Sequence, residues 1–360
     1  MSAPICRWGI LGTANIARKN WKSIRNAENA TLTVVASRTE ERAKQFISEC
    51  QASAAFADAP AAVGSYDALL NRKDVDAVYI PLPTGIRKQW VIKAAQAGKH
   101  VLCEKPCAVH ADDLREMIDA CEKHKVQFMD GVMFMHGKRL PAMRQVLDDG
   151  STVGAIRRVT SQFCFMASDE FLKQNIRVND TLEPLGALGD LGWYNIRLSL
   201  WAMNEQLPTA VSGRTLTKHQ VPLEFSGELQ FANGASAGFY CSFLTEIHQW
   251  GNISGTKGVL HVDDFVLPWF GAETTFMTNQ PVFNVNGCEF NMESHIRDHR
   301  RAEYSNGMPD SQETGMIRTF SQLATVGPID PRWATQALNT QRVLDACLQS
   351  ARDDGKLVRL

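Results

Sequence analysis

The sequence predicts an α/β domain built on a doubly wound parallel sheet, followed by an α+β domain with a large, mostly antiparallel open sheet. Two observations carry this. Up to about residue 130, short continuous apolar runs alternate with helical stretches, as strands covered on both faces by helices require. Across 211–262, strand-length runs follow one another with only turns between them, the pattern of an antiparallel meander. The expected boundary is a single cut, with one domain over 1–130 and the other over 131–360.

The first apolar run, 5–11, opens the sheet, and a helical stretch with Ile16, Ala17, Trp21 and Ile24 follows it. Residues 31–37 are β-branched, and Thr39 suits the N-cap of the Glu-rich helix after them. A buried strand is expected at 76–80. A helix over 87–97 should stop at Gly98, where a left-handed cap fits glycine best. Strands at 100–103 and 127–130 flank a helix over 111–124. In the second half, a helix over 139–149 leads into a strand at 155–165, and a helix over 189–203 follows a polar loop. Strands are expected at 211–216, 223–231, 236–244, 249–254 and 258–262. Helices return at 312–325 and 333–353.

Composition excludes several function classes. The 360 residues carry 38 basic and 39 acidic side chains, so the formal net charge is −1. That balance leaves no electrostatic footprint for nucleic acid or an anionic membrane. No apolar window is long enough to span a bilayer, and the start lacks the pattern of a secretory leader. The nine cysteines are scattered without a CxxC pair, which points to free thiols in a reducing compartment and a cytoplasmic location.

Chemistry concentrates at three places. The first strand ends in Gly12-Thr13-Ala14-Asn15-Ile16-Ala17, a shortened glycine fingerprint at a strand-to-helix turn, where helix N–H groups can receive a pyrophosphate. Alanine at position 14 weakens it, because alanine disfavours positive φ. The second strand ends in Ser37-Arg38, where an acidic residue would instead accept bonds from a ribose 2′-hydroxyl. A hydroxyl and a guanidinium suit a 2′-phosphate, with Arg42 one helical turn on, so NADP is preferred over NAD. The third place is Glu104-Lys105-Pro106, after the strand at 100–103. A lysine held there in partial burial serves as a fixed cation, and the proline fixes the turn in a form that can be cis.

With these residues in hand, the chain resembles the glucose–fructose oxidoreductase / inositol dehydrogenase / MocA (Gfo/Idh/MocA) family. The shared stretches are WGILGTANIA at the start, SR after the second strand, YIPLPT at 79–84, AGKHVLCEKP at 97–106, GALGDLGWY at 186–194 and ISGTKGVLHVDD at 253–264. The resemblance implies a Rossmann domain with Pro81, Leu82 and Pro83 beside Glu104, Lys105 and Pro106 at the cofactor. It implies a catalytic Lys105, with Asp190 and Tyr194 as the acid/base pair of the second domain, four residues apart on one helix face. Tyr194 is then the general acid/base on a carbinol oxygen, Lys105 lowers its pKa, and Asp190 holds a substrate hydroxyl or the lysine. Arg177 resembles a substrate-loop arginine. The implied activity is hydride transfer between a nicotinamide and a hydroxyl or carbonyl carbon of a sugar, cyclic polyol or related diol. A homodimer or homotetramer through the open sheet is implied as well. The chain departs from the family pattern at Thr84 and Arg87, which stand for Asn and His, and at Pro184 and Leu185, which replace glycines. A dinucleotide sensor on the same fold, or an enzyme that uses bound NAD transiently, stays open as an alternative.

Weaker candidates are His295 and His299, four residues apart, for which a surface helix or loop is a better account than a metal pair. Cys103 and Cys107 flank the Glu-Lys-Pro stretch and are expected to be buried thiols, and His136 to be a packed histidine. Trp193, Trp201, Trp250 and Trp269 fit sugar stacking or core equally well.

Overall fold

The computed structural model describes residues 4–305 and 307–360. By packing, the chain divides into two compact units. The first comprises 1–136, 181–184 and 304–341, and the second 137–180, 185–303 and 342–360. The chain therefore returns twice to the first unit, where the sequence suggested one cut at 130/131.

In the first unit, β1 (Cys6–Leu11), α1 (Asn15–Asn26), β2 (Ala30–Ala36), α2 (Glu40–Ser53), β3 (Ala61–Val63), α3 (Tyr66–Leu70), β4 (Ala77–Ile80), α4 (Thr84–Gln96), β5 (His100–Cys103), α5 (Ala111–Lys123) and β6 (Phe128–Asp130) alternate along the chain. The sheet is wholly parallel in the order β3-β2-β1-β4-β5-β6. That is the doubly wound order with its topological switch between β1 and β4. Burial explains the elements. Trp8, Ile10, Val34, Val78, Tyr79 and Leu102 are all fully buried. In α1 the buried positions include Ala17, Trp21 and Ile24, one face at helical spacing, while Ile16 points out. Thr39 caps α2 by accepting from the Arg42 N–H. Gly98, at φ +71°, follows the end of α4 as expected. Strand β3 and helix α3 were not foreseen.

The return segment completes this unit. After β6 the chain makes a 3₁₀ turn (Met133–His136). Helix α9 (Gln312–Thr325) covers β1: Trp8 Nε1 donates to Ser321 Oγ at 3.0 Å, and the Trp8 and Phe320 rings lie 5.1 Å apart. Gln127 and Asp330 exchange two hydrogen bonds, 3.0 and 2.8 Å long, just before α10 (Pro331–Arg352) begins.

In the second unit, α6 (Arg139–Asp148) leads into β7 (Ile156–Met166) and the short α7 (Asp169–Gln174). A wide π-type turn (Leu188–Gly192) then runs into α8 (Trp193–Ala202). The strands are β8 (Ala210–Lys218), β9 (Pro222–Gln230), β10 (Ser236–Ser242), β11 (Leu244–His248), β12 (Gly251–Gly255), β13 (Val259–Val262), β14 (Glu273–Asn279), β15 (Val282–Asn286), β16 (Glu289–Glu293), β17 (Ile296–Ala302) and β18 (Val358–Arg359). The large sheet runs β17-β14-β13-β12-β7-β10-β9-β8-β18, with β11 added on β7. The expected meander is thus interrupted: the long β7 lies between β12 and β10 and pairs with β10 in parallel. The rest of the path is antiparallel. Every residue of α8 is buried, and Asn195 Nδ2 on it donates to Ser161 Oγ of β7 at 2.9 Å. Alternate β7 positions Val159, Ser161 and Phe163 are buried. Their neighbours Arg158, Thr160 and Gln162 are half-buried, on the opposite face. Among the described residues, no helix is long and apolar enough to cross a membrane.

Candidate active site

Within the first unit, the sequence-selected residues fall at one edge of the parallel sheet, beyond the carboxyl ends of its strands. Gly12 follows β1, Ser37 and Arg38 follow β2, Pro81, Leu82 and Pro83 follow β4, and Glu104, Lys105 and Pro106 follow β5. Open α/β sheets bind ligands at this edge.

Gly12 has φ +114°, and a Cβ there would lie 2.9 Å from Leu82 Cδ2. The turn therefore requires glycine on two grounds. Ala14 does not need that freedom: it is the N-cap of α1 at φ −68°, so alanine in the second fingerprint position is unstrained. No side chain caps α1, and no acidic residue sits in its first turn with Asn15 and Ile16. The uncapped N–H groups form a cradle for an anion. The Thr13 and Ser37 hydroxyls lie 3.2 Å apart, and the Gly12 N–H donates to the Ala36 carbonyl at 2.9 Å, so the β1 and β2 ends are tied together. Arg38 and Arg42 are exposed, and of the two acids between them Glu40 pairs with Lys44 at 2.6 Å and Glu41 is engaged by Thr39 at the start of α2. Tyr66, at the start of α3, was not anticipated. Its hydroxyl is 3.9 Å from the Cβ position at Gly12, and its ring meets Trp90 edge-on at 4.8 Å. Burial raises its hydroxyl pKa, an effect that the charges of Arg38 and Arg42 partly offset.

The Glu104-Lys105-Pro106 turn is built from inside. Lys105 is half-buried and its bond to Pro106 is cis. Glu104 is buried; its carboxylate accepts from the Tyr79 hydroxyl at 2.6 Å and from the Lys105 N–H at 3.1 Å. Burial, then the neighbouring Glu104, pushes the Tyr79 hydroxyl well up, so it remains a donor. Arg87, read from the sequence only as a departure, is 3% exposed. Its Nε donates to the Leu82 carbonyl and its Nη1 to the Glu104 carbonyl, each at 2.8 Å, with further bonds to the Leu82 and Pro106 carbonyls. Thr84, the other departure, is held by Glu183, whose carboxylate accepts from the Thr84 hydroxyl at 2.6 Å and its N–H at 3.1 Å. Glu183 thus occupies the N-terminus of α4 from 99 residues away, a pairing that no local spacing reveals.

In the second unit, Asp190 lies in the π-type turn and Tyr194 in the first turn of α8. The sequence suggested one regular helix through both, but the turn is closed by wider bonds, a form frequent at functional sites. Tyr194 is 5% exposed, with its ring edge-on to Phe163 at 5.6 Å. Arg177 Nε is 2.9 Å from Asp190 Oδ2, so two substrate candidates form an ion pair.

The weaker candidates resolve into packing. His295 lies in the exposed loop before β17, as expected, whereas His299 stands within that strand, where positions four apart lie about 13 Å from one another. His299 bonds the Thr278 hydroxyl at 3.1 Å and stacks on Phe276. Cys103 and Cys107 are buried, and burial pushes the Cys107 thiol well up. His136 stacks on Trp333 at 4.6 Å. Trp193 is fully buried and Trp201 nearly so, whereas Trp269 is exposed.

A nicotinamide dinucleotide fits the first-unit edge. The glycine turn takes a backbone form that other residues rarely adopt, the α1 N-terminus has no side-chain cap, and a hydroxyl and a guanidinium, Ser37 and Arg38, stand directly after β2. Comparison with known proteins agrees. Residues 6–132 match the model of an oxidoreductase family with an NAD-binding Rossmann fold, and 141–261 match the GFO/IDH/MocA C-terminal domain. The chain is 34% identical over 277 residues to D-xylose 1-dehydrogenase (NADP(+)) 2 of Haloferax volcanii, covering 76% of this chain and 81% of that one. It is 30% identical over 325 residues to trans-1,2-dihydrobenzene-1,2-diol dehydrogenase of Bos taurus, covering 88% of each. The fold is that of a 3-ketoreductase from Actinomadura kijaniata crystallised with NADP and TDP-benzene, at TM-score 0.78 and 24% identity, over 96% of this chain and 98% of that one. The two matches, over 6–132 and 141–261, and these relatives place the chain in the Gfo/Idh/MocA family of oxidoreductases.

Proposed function

We propose that the protein is an NADP-dependent dehydrogenase or reductase acting on a CH–OH or carbonyl carbon of a sugar, cyclic polyol or related diol. The observation that carries the cofactor choice is the end of β2: Ser37 touches Thr13 of the glycine turn and Arg38 stands next to it, so a hydroxyl and a guanidinium occupy the strand end where a ribose 2′-hydroxyl would need a carboxylate, with Arg42 one helical turn on. The names of the relatives from Haloferax volcanii and Bos taurus support the substrate class. When bound, the dinucleotide supplies hydride transfer at its nicotinamide ring.

This chain's residues would supply orientation and the proton. In this reading Tyr194 exchanges a proton with the substrate's carbinol or carbonyl oxygen, and Lys105 provides the cation that favours the tyrosinate. Asp190, oriented by Arg177, accepts a hydrogen bond from a neighbouring substrate hydroxyl.

Lys105→Ala and Tyr194→Phe should each abolish NADP⁺ reduction across a panel containing D-xylose and trans-dihydrodiols, while NADPH still binds. Unchanged turnover in either variant would end that role assignment. Tight NADPH binding by the wild type with no turnover on a broad panel would favour a sensor.

We also propose that a second copy of the chain covers the face of the ten-stranded sheet opposite α8. That face presents half-buried Arg158, Thr160, Gln162 and Tyr240, long polar side chains that can hydrogen-bond across a sheet-to-sheet contact. Light scattering that returns a monomer at micromolar concentration would exclude it.

A further inference from the structure

We propose that Arg87 is a positioning residue that sets the backbone of the turn carrying Lys105; the proposal rests on the reading of Lys105 as catalytic. The carbonyls on either side of Lys105 are those of Glu104 and Pro106, and one nitrogen of Arg87, Nη1, donates to both. The Lys105 N–H goes to the Glu104 carboxylate, itself held by Tyr79. The same guanidinium holds the Leu82 carbonyl through Nε and Nη2. Leu82 in turn packs where a side chain on Gly12 would stand. One buried, planar fork therefore links the turn after β4, which lies against the glycine turn, to the turn after β5.

The chemistry needs arginine. Three backbone carbonyls in two turns require several N–H donors at fixed angles, which a guanidinium offers. An imidazole offers two at most, and a lysine ammonium offers a compact point charge that cannot span both turns. The histidine of the usual family pattern would leave at least one of these carbonyls to water or unpaired.

Lys99 provides a built-in comparison. It is also a buried cation bonded to backbone carbonyls, those of Arg72 at 2.5 Å and Val75 at 2.9 Å. It sits just before β5, at the opposite end of the strand from Lys105. A merely structural role for Arg87 predicts that Arg87→Lys, Arg87→Met and Lys99→Met behave alike. A positioning role predicts that they do not.

The experiment combines steady-state kinetics with NADP⁺ and the panel substrate that the wild type turns over, and amide exchange by mass spectrometry, which needs no substrate. For Arg87→Met, kcat should fall by about tenfold or more, and KM should stay within about threefold, because the loss is in orientation rather than in ground-state binding. Arg87→Lys should fall between, and remains informative if Arg87→Met does not fold. Peptides covering 102–109 should exchange about tenfold faster in both. Lys99→Met should loosen peptides around 72–77 and keep kcat. Exchange at 102–109 unchanged from wild type, or a kcat for both Arg87 variants equal to that of Lys99→Met, overturns the proposal. Lys105→Ala is measured alongside. If it keeps kcat while the Arg87 variants loosen 102–109, the reading of Lys105 has failed and the role of Arg87 as its positioner falls with it. If it loses kcat while Arg87→Lys and Arg87→Met do not, the Arg87 proposal alone has failed.

Discussion

Replacing Arg38 with alanine should separate NADPH from NADH. The structure gives the ingredients of the magnitude. Arg38 is exposed, its neighbour Glu40 is engaged with Lys44, and Arg42 remains nearby as a second cation. A charge-assisted hydrogen bond contributes about 1.5–3 kcal/mol when sheltered, and exposure cuts that toward the lower figure. About 1.4 kcal/mol is a factor of ten, so the NADPH dissociation constant should rise by roughly 10- to 30-fold. NADH, with no 2′-phosphate, should bind within about twofold of its wild-type affinity. Removing Arg42 as well should deepen the loss, because each guanidinium screens the phosphate in the absence of the other. The assay is titration of nicotinamide fluorescence at low and high salt. Because the Debye length shrinks from about 10 Å at 0.1 M to about 3 Å at 1 M, the difference between wild type and variant should narrow as salt rises. Equal losses for NADPH and NADH, or a wild type that prefers NADH, would show that the end of β2 does not read a phosphate.

Three other predictions test the scaffold. Arg139 and Asp264 form a buried ion pair in which Arg139 also bonds the carbonyls of Asp264 at 2.6 Å and Thr275 at 3.0 Å. Asp264→Asn, which strands a buried cation, should therefore cost about 3 kcal/mol or more and lower the thermal midpoint by roughly 4 °C or more; a shift under about 1 °C would contradict the pairing. Hydrogen bonds from Thr152, then Ser151, pull the Asp149 carboxyl down to about 2. Its folded value lies below its unfolded one, so its stabilisation is complete above about pH 4 and is lost as pH falls toward 2. The gap in thermal midpoint between wild type and Asp149→Asn should close over that window, and a gap constant down to pH 2 would refute it. Eight of the nine cysteines are buried and Cys288 is exposed. A thiol reagent should therefore label one cysteine quickly in the native protein and nine after unfolding, a result checked by mass and by Cys288→Ser.

What the sequence made legible follows physical contrast. Strands buried on both faces, such as β4 and β5, and helices with a distinct apolar stripe, such as α1, declare themselves by pattern alone. Strand β3 is three small residues and α3 a single turn, so neither is long enough to show a period. Strands β15 and β16 are exposed throughout, yet Asn286-Gly287 between alternating Phe283, Val285, Phe290 and Met292 is a strong hairpin signal that composition-led reading passed over. The insertion of β7 between β10 and β12 is a long-range pairing, which local turns do not encode. The candidate edge was legible because the glycine turn, Ser37-Arg38 and the Glu-Lys-Pro turn stand at successive strand ends in the order of the family pattern, although each alone has bland uses.

Position 87 marks the limit of that approach. Comparing residue types there showed only a departure, an arginine where the family pattern has a histidine. The guanidinium in fact turns inward and satisfies carbonyls of Leu82, Glu104 and Pro106. Backbone carbonyls belong to every residue and leave no trace in a sequence, so an arginine that binds them is indistinguishable there from one that faces water. The same holds for Glu183, whose partner is largely the start of α4. Both residues fasten backbone near Lys105 without any need to touch a ligand, so substitutions at 84, 87 and 183 should act together rather than singly. A cycle of Thr84→Val and Glu183→Ala isolates that link: because the two side chains share one of the two hydrogen bonds, the double variant should lose about 1 kcal/mol less than the sum of the singles. Additivity within about 0.3 kcal/mol would mean that the carboxylate holds α4 through the Thr84 N–H alone.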